Sequence, residues 1–182
     1  ILHALAKSGE KVGFIAKGAR KSRKRFGGGV LEPTHYVELT YRETSQNYEL
    51  GRLNMVMEAS LIEGFNGLRA DYERLQLGLY FVGMLDKVSV EGLSDSAYSF
   101  DLLGNALKQL EESENPAILK TQFELKFLHQ QGVLPPEVSY KDFIGRPLDE
   151  HSQLAGLYSA NPGSDYQKLR SQLNHFISSY IG

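Results

Sequence analysis

The first 60 residues alternate between apolar and polar positions, which is the pattern of half-buried β-strands. In the clearest case, Val37, Leu39 and Tyr41 share one face of a segment, and the residues between them are polar or amphipathic. The predicted strands cover residues 2–6, 12–16, 35–41 and 53–59. Several short strands with no helical period before residue 60 are typical of a small antiparallel barrel.

From about residue 61 the apolar residues recur at steps of three and four, the period of amphipathic helices. The first predicted stripe consists of Leu68, Tyr72, Leu75, Leu79 and Val82, widened by Phe81, Met84, Leu85 and Val88. A second helix ends near Leu110, and a third begins with Asn115 as N-cap and Pro116 at its first position. Gly132 is placed to end the third helix, and Ser164 to cap a last one.

These patterns predict an α+β protein in which a small antiparallel β-barrel precedes an α-helical bundle. We expect a β domain at residues 1–60 and a helical bundle at 61–136. The segment 137–182 is expected to be irregular and then helical, and to pack on the bundle.

Composition excludes several classes of function. The 182 residues include no cysteine, so disulfides and thiolate metal sites are excluded. The five histidines lack metal-ligand spacing, and we predict no metal and no cofactor. The longest apolar run, residues 77–85, is too short to span a membrane.

No catalytic motif is present in the sequence: it has no P-loop, HExxH motif or nucleophile elbow. The glycine run Gly27–Gly29 lacks the lysine–serine ending of a P-loop and leads into a strand. We therefore predict no catalytic residues and a protein that is not an enzyme. A hydrolase or transferase whose site is assembled from dispersed residues is the remaining enzymatic alternative.

Positive charge is concentrated at the start of a chain whose net charge is -2. Residues 1–30 hold eight of the 20 Lys and Arg residues and one of the 22 Asp and Glu residues. Six of these bases lie in the basic loop, here defined as residues 16–29, between two predicted strands: Lys17, Arg20, Lys21, Arg23, Lys24 and Arg25. Such a cluster favours binding to a polyanion, because Lys and Arg release condensed counterions from phosphates.

The predicted nucleic-acid interface extends beyond the six bases. Lys7 and Lys11 add charge on the neighbouring strands. Among the aromatic residues of the β domain, Phe26 and Tyr36 are the expected exposed rings, because Phe26 lies in the loop and Tyr36 lies opposite the Val37 face. Exposed rings would stack on bases, at about 1–3 kcal/mol per base.

Three ordered motifs resemble the DNA repair protein RecO family over roughly residues 1–138. They are AKGAR at Ala16–Arg20, FNGLRAD at Phe65–Asp71, and FELKFL at Phe123–Leu128, the last followed by Gly132 and Pro135–Pro136. The resemblance implies an OB-fold-like barrel and a cytoplasmic, nucleoid-associated recombination mediator that binds single- and double-stranded DNA and anneals strands. It also implies work with RecR, with the C-terminal tail of single-stranded DNA-binding protein, and indirectly with RecA.

The sequence departs from the family in two places. The family has a further strand before the position of Ile1, so we expect an upstream piece to be missing. Many relatives carry four zinc-binding cysteines after the third helix, where this chain has Val138–Lys141 and no thiols.

An alternative function, from a different functional class, is that of a helical protein-interaction adaptor whose basic loop binds RNA or an acidic protein.

Overall fold

The computed structural model describes residues 1–19, 21–22, 24–44, 53–89, 97–134, 140–156 and 164–181. Across these stretches, four β-strands come first, followed by seven α-helices and one 3-10 helix. The α+β class predicted from the sequence is confirmed. None of the helices in these stretches is long and apolar enough to cross a membrane.

The four strands form one sheet in the order β1-β2-β4-β3. They are β1 (Leu2–Leu5), β2 (Lys11–Ile15), β3 (Tyr36–Arg42) and β4 (Leu53–Glu63). The β1–β2 and β3–β4 pairs are antiparallel, whereas β2 and β4 run parallel. Within the described residues the sheet is open rather than a closed antiparallel barrel, with β1 and β3 at its edges. A parallel pair requires a crossover, and the basic loop together with β3 supplies it.

One face of the sheet carries a hydrophobic core. Phe14, Phe26, Val30, Val56 and Ala59 are buried there. The predicted inward residues Val37 and Leu39 pack against this cluster, so the alternation in β3 is confirmed. Tyr41 is 45% exposed, yet its ring lies edge-on to Phe14 with centroids 5.2 Å apart. The pairing with β4 shifts between Thr40 and Tyr41, which displaces Tyr41 from the regular pleat.

The helical bounds follow the sequence signals closely. The helices are α1 (Asn66–Arg69), α2 (Tyr72–Val88), α3 (Ala97–Leu110), α4 (Pro116–Gln130), α5 (Lys141–Gly145), α6 (His151–Ala155) and α7 (Asp165–Ile181), with the 3-10 helix at Leu148–Glu150. Asn115 occupies the N-cap of α4 without a side-chain capping bond. Gly132 has a φ of 67°, as expected of a helix-ending glycine. The Gln167 amide donates to Ser164 Oγ at 3.2 Å, which confirms Ser164 as a cap.

The buried face of α2 differs from the predicted stripe. Tyr72 is 78% exposed and Leu79 42% exposed, whereas Phe81, Met84 and Leu85 are buried. The prediction for Tyr72 and Leu79 is therefore wrong. Both sets have helical spacing, and in a helix that is apolar on several sides the period alone does not select the face.

The described residues form two compact units. The first comprises Ile1–Asn66 and Leu79–Gly104, and the second comprises Gly67–Gly78 and Asn105–Gly182. The second is built on α4, in which ten residues between Ile118 and Leu128 are buried. On this helix, the side-chain amide nitrogen Nε2 of Gln122 donates to the carbonyls of Phe143, Arg146 and Pro147, in and just after α5.

Candidate nucleic-acid interface

The basic loop leaves the sheet at the end of β2 and rejoins it at Phe26. There the Ala59 amide of β4 donates to the Arg25 carbonyl at 3.0 Å, and Phe26 and Ala59 form an isolated parallel bridge. The Phe26 side chain is 4% exposed within the core of the sheet. The loop is thus attached to the hydrophobic core of the first unit both where it leaves β2 and at Phe26.

Between these ends the described backbone makes a series of hydrogen-bonded turns. The Gly18 carbonyl accepts from the amides of Lys21 and Ser22, both at 2.9 Å, and the Ser22 carbonyl accepts from the Phe26 amide at 3.0 Å. Gly18 has a φ of 77°, which glycine adopts without strain. The described residues of the loop therefore have a defined path.

Arg25 makes three further contacts inside the loop. Its Nη2 donates to the Lys17 carbonyl at 3.1 Å, and its Nε donates to Ser22 Oγ at 3.4 Å. The guanidinium carbon lies 5.3 Å from the centroid of the Phe26 ring, within cation–π range. The side chain connects the first residues of the loop to the last.

Four of the six predicted loop bases are described, and all four are exposed: Lys17, Lys21, Lys24 and Arg25. Arg20 and Arg23 lie outside the described residues. No acidic residue occurs between Lys11 and Leu31. The loop thus presents a concentrated positive charge to solvent, which suits a phosphate backbone.

The two bases predicted on the strands differ in their surroundings. Lys7 is exposed, with Nζ 5.7 Å from the centroid of the Tyr36 ring. A hydrogen bond with Tyr36 raises the pKa of Lys7, so this amine stays cationic. Lys11 Nζ, in contrast, lies 2.8 Å from the Asp86 carboxylate and donates to the Asp86 carbonyl at 2.7 Å. Asp86 thus neutralises Lys11 within the first unit, and contact of Lys11 with DNA stays a prediction.

Of the two rings chosen as exposed base-stacking candidates, one is buried and the other is half-buried. Phe26 is buried, so the prediction of an exposed Phe26 is wrong: the ring fills the core where the loop rejoins β4. Tyr36 is half-buried and contacts Phe100 edge-on, with centroids 5.5 Å apart, in addition to Lys7. Stacking of a base on Tyr36 stays a prediction.

The second unit contains a buried polar pair that sequence reasoning missed. Ser113 Oγ lies 2.7 Å from His151 Nε2, and His151 Nδ1 lies 2.8 Å from the Leu148 carbonyl. Both side chains are 5% exposed. A serine–histidine contact is the starting geometry of nucleophilic catalysis, but a substrate carbonyl has to reach the hydroxyl. At this burial the pair acts as a structural tie between the turn after α3 and α6.

Further polar residues lie inside α4, where a purely apolar face would be expected. Thr121, Gln122, Glu124 and Lys126 are all buried. These buried polar residues could have been suspected from the sequence, because the helical period places them on the side of α4 that faces the core. Among the described residues, no group of three or more His, Cys, Asp or Glu side chains is arranged to hold a metal ion.

Comparison with known proteins identifies one family across most of the chain. The family model described as Recombination protein O N terminal matches residues 1–65, and the model described as Recombination protein O C terminal matches residues 69–150. The two models occur in order and without overlap.

Curated relatives agree with these models. The DNA repair protein RecO of Syntrophobacter fumaroxidans is 33% identical over 129 residues, which cover 71% of this chain and 48% of the relative. RecO of Anaeromyxobacter dehalogenans is 36% identical over 126 residues, which cover 69% of this chain and 47% of the relative. RecO of Bacillus subtilis is 25% identical over 135 residues, which cover 74% of this chain and 50% of the relative. The chain spans about half the length of the curated relatives it matches. With both domain models matched and relatives of one name aligned over the same region, the chain belongs to the RecO family.

Proposed function

We propose that this chain is a non-catalytic DNA-binding module of a recombination mediator in DNA repair, and that the basic loop is its DNA-contacting element. The observation that supports the proposal is the exposure of Lys17, Lys21, Lys24 and Arg25 on a loop whose backbone is fixed to the core. Arg20 and Arg23, in the same loop, are proposed to add to the charge.

The chemistry of the loop favours phosphate contact over base readout. Lysine amines and guanidinium groups bind phosphate oxygens, which carry no sequence information. Binding to single- and double-stranded DNA alike follows from such contacts. Strand annealing follows as well, because a cationic surface lowers the repulsion between two phosphate backbones.

The partners of the proposed mediator rest on family resemblance alone. RecR, the C-terminal tail of single-stranded DNA-binding protein, and RecA through loading at gaps are proposed on this basis. An adaptor whose loop meets an acidic protein or RNA is the competing function, and the experiment below discriminates between the two.

The experiment is a fluorescence anisotropy titration of a labelled single-stranded oligonucleotide across a salt series. The three exposed lysines Lys17, Lys21 and Lys24, each neutralising one phosphate at about 0.7 per phosphate, predict a slope of log K against log salt of about -2, and phosphate contacts by Arg20 and Arg23 would steepen it. The Lys17→Glu/Lys21→Glu/Lys24→Glu variant is expected to lose at least tenfold in affinity at low salt.

The matched control reverses three exposed lysines of the helices, Lys108→Glu/Lys141→Glu/Lys168→Glu, and so has the same net charge. It is expected to bind DNA within about twofold of the unmodified chain, since net charge alone changes binding weakly compared with a local cluster. Equal loss in both variants, or no DNA binding by the unmodified chain, contradicts the proposal. The second result directs attention to the adaptor function.

A further inference from the structure

We infer that Arg25 is a positioning residue of the basic loop: it shapes the loop that presents the lysines, and it is not itself one of the phosphate contacts. This inference rests on the proposed function of DNA binding. The described bases of the loop then have two roles. Lys17, Lys21 and Lys24 supply the charge that contacts phosphates, and Arg25 maintains the shape of the loop.

The contacts of the guanidinium support this division. The Nε–Nη2 edge, one of the two edges with which arginine binds a phosphate in bidentate fashion, donates to Ser22 Oγ and the Lys17 carbonyl. Both acceptors belong to the loop itself. The plane of the group also lies near the buried Phe26 ring, so a phosphate gripped by this edge would displace existing contacts.

The backbone of Arg25 has a fixed position as well. Its carbonyl accepts from the Ala59 amide, and the next residue is buried in the sheet core. Arg25 therefore ties the Lys17 end of the loop to a rigid point on β4. Lys17, Lys21 and Lys24 carry like charges that repel one another, and a tie of this kind limits their spreading before DNA arrives.

Gly18 provides an independent way to disturb the same tie. At its φ of 77° a side chain is strained, and an added Cβ would lie 3.2 Å from Arg25 Nη2. The change Gly18→Ala removes no charge. It should therefore reproduce the loss of Arg25 positioning while leaving every base of the loop in place.

The test compares Arg25→Lys with Lys24→Gln in the DNA titration across salt. Arg25→Lys keeps the charge and removes the forked contacts, so affinity is expected to fall about fivefold with the salt slope unchanged, because the loop must be ordered on binding. Lys24→Gln keeps the contacts and removes a charge, so the slope is expected to decrease in magnitude by about 0.7. Because a structural loss elsewhere would also lower affinity at an unchanged slope, a measurement inside the loop is needed to locate the effect of Arg25→Lys.

A second measurement does not depend on DNA. Backbone hydrogen exchange at the Ser22 and Phe26 amides, followed by NMR, is expected to accelerate in Arg25→Lys and in Gly18→Ala but not in Lys24→Gln. The double variant Gly18→Ala/Arg25→Lys is expected to lose less affinity for DNA than the two single losses combined, since both changes disturb the same tie. Circular dichroism at 222 nm should be unchanged in all of them.

Two results would overturn the inference. One is unchanged exchange at both amides in Arg25→Lys. The other is an Arg25→Gln variant that lowers the slope by one phosphate while Arg25→Lys binds as the unmodified chain does, which would make Arg25 a direct contact. If the unmodified chain fails to bind DNA, the proposed function is lost, and the exchange measurement still decides the role of Arg25 in the loop.

Discussion

Lys126 places an amine where charge is costly. Its side chain is buried on α4, and Nζ donates to the Ile144 carbonyl at 2.6 Å near the end of α5. Desolvation lowers the pKa of Lys126 from the ordinary value of 10.5. The folded protein therefore holds the proton of this amine less tightly than the unfolded chain does.

The sign of the resulting pH dependence follows from linkage. Between the lowered pKa of Lys126 and 10.5, the unfolded chain binds more protons, so this residue makes the free energy of unfolding rise with pH across that window. The difference between the unmodified chain and Lys126→Met, measured by urea unfolding at stepped pH, is expected to rise with pH below 10.5. A difference that stays flat from pH 7 to 10.5 contradicts this.

At the residue scale, the sequence predicted charge better than burial. The loop position of Lys17, Lys21 and Lys24 followed from a run of bases between two strands, and the three are exposed. Phe26 was misplaced because its neighbours are polar or glycine, and only the long-range bridge to Ala59 shows that it enters the core. The ion pair of Lys11 could not be predicted for a similar reason, since its partner Asp86 lies far along the chain on α2.

At the scale of elements, a buried ion pair joins α4 to α7. Glu124 is fully buried, and its carboxylate contacts the guanidinium of Arg170, whose side chain is 16% exposed. Lys120 Nζ lies 3.7 Å from the same carboxylate. Desolvated charges of this kind are tolerated when they are paired, and removing the contacting partner of Glu124 leaves a buried carboxylate with weaker compensation, which includes Lys120.

The variant Arg170→Met tests the energetic role of this pair. It is expected to lower the free energy of unfolding by about 3 kcal/mol, because Glu124 remains buried after losing the cation that contacts it. The double variant Glu124→Gln/Arg170→Met should recover at least half of the loss, as the charge is then removed with its partner. Urea unfolding followed at 222 nm measures both. A loss below about 1 kcal/mol in the single variant would show that Lys120 or solvent compensates the Glu124 carboxylate, and so contradicts the role assigned to Arg170.

Elements were predictable where local signals mark their ends. Asn115 and Pro116 marked the start of α4, and Ser164 marked the start of α7, because capping and the fixed φ of proline act within one turn. The length of β4 was underestimated: it continues to Glu63, where pairing with β3 extends the strand beyond its apolar run. No local sequence pattern indicates the parallel pairing of β2 with β4, because the two strands lie far apart along the chain.

At the scale of the whole molecule, charge is unevenly distributed along the chain. The net charge is -2, yet the first 30 residues carry eight bases and one acid. Polyanion binding depends on the local potential around a cluster more than on the sign of the total charge. The low net charge and the proposed DNA binding are therefore compatible.

Heparin chromatography checks this distribution directly. At pH 8 and low salt, the unmodified chain is expected to be retained on the polyanionic resin despite its negative net charge. The Lys17→Glu/Lys21→Glu/Lys24→Glu variant is expected in the flow-through, and the Lys108→Glu/Lys141→Glu/Lys168→Glu variant, of equal net charge, should still be retained. Co-elution of the two variants would show that total charge, not the loop, governs retention.

The parallel pair of β2 and β4 has a consequence for the order in which the protein folds. Gly13 pairs with Leu53, and Phe26 forms a bridge with Ala59, so both contacts close long segments of chain at an entropic cost. Contacts of this range form slowly compared with helical turns. The local turns of the basic loop do not involve β4, whereas its attachment at Arg25 and Phe26 does. The loop is therefore fully anchored only once β4 has joined the sheet.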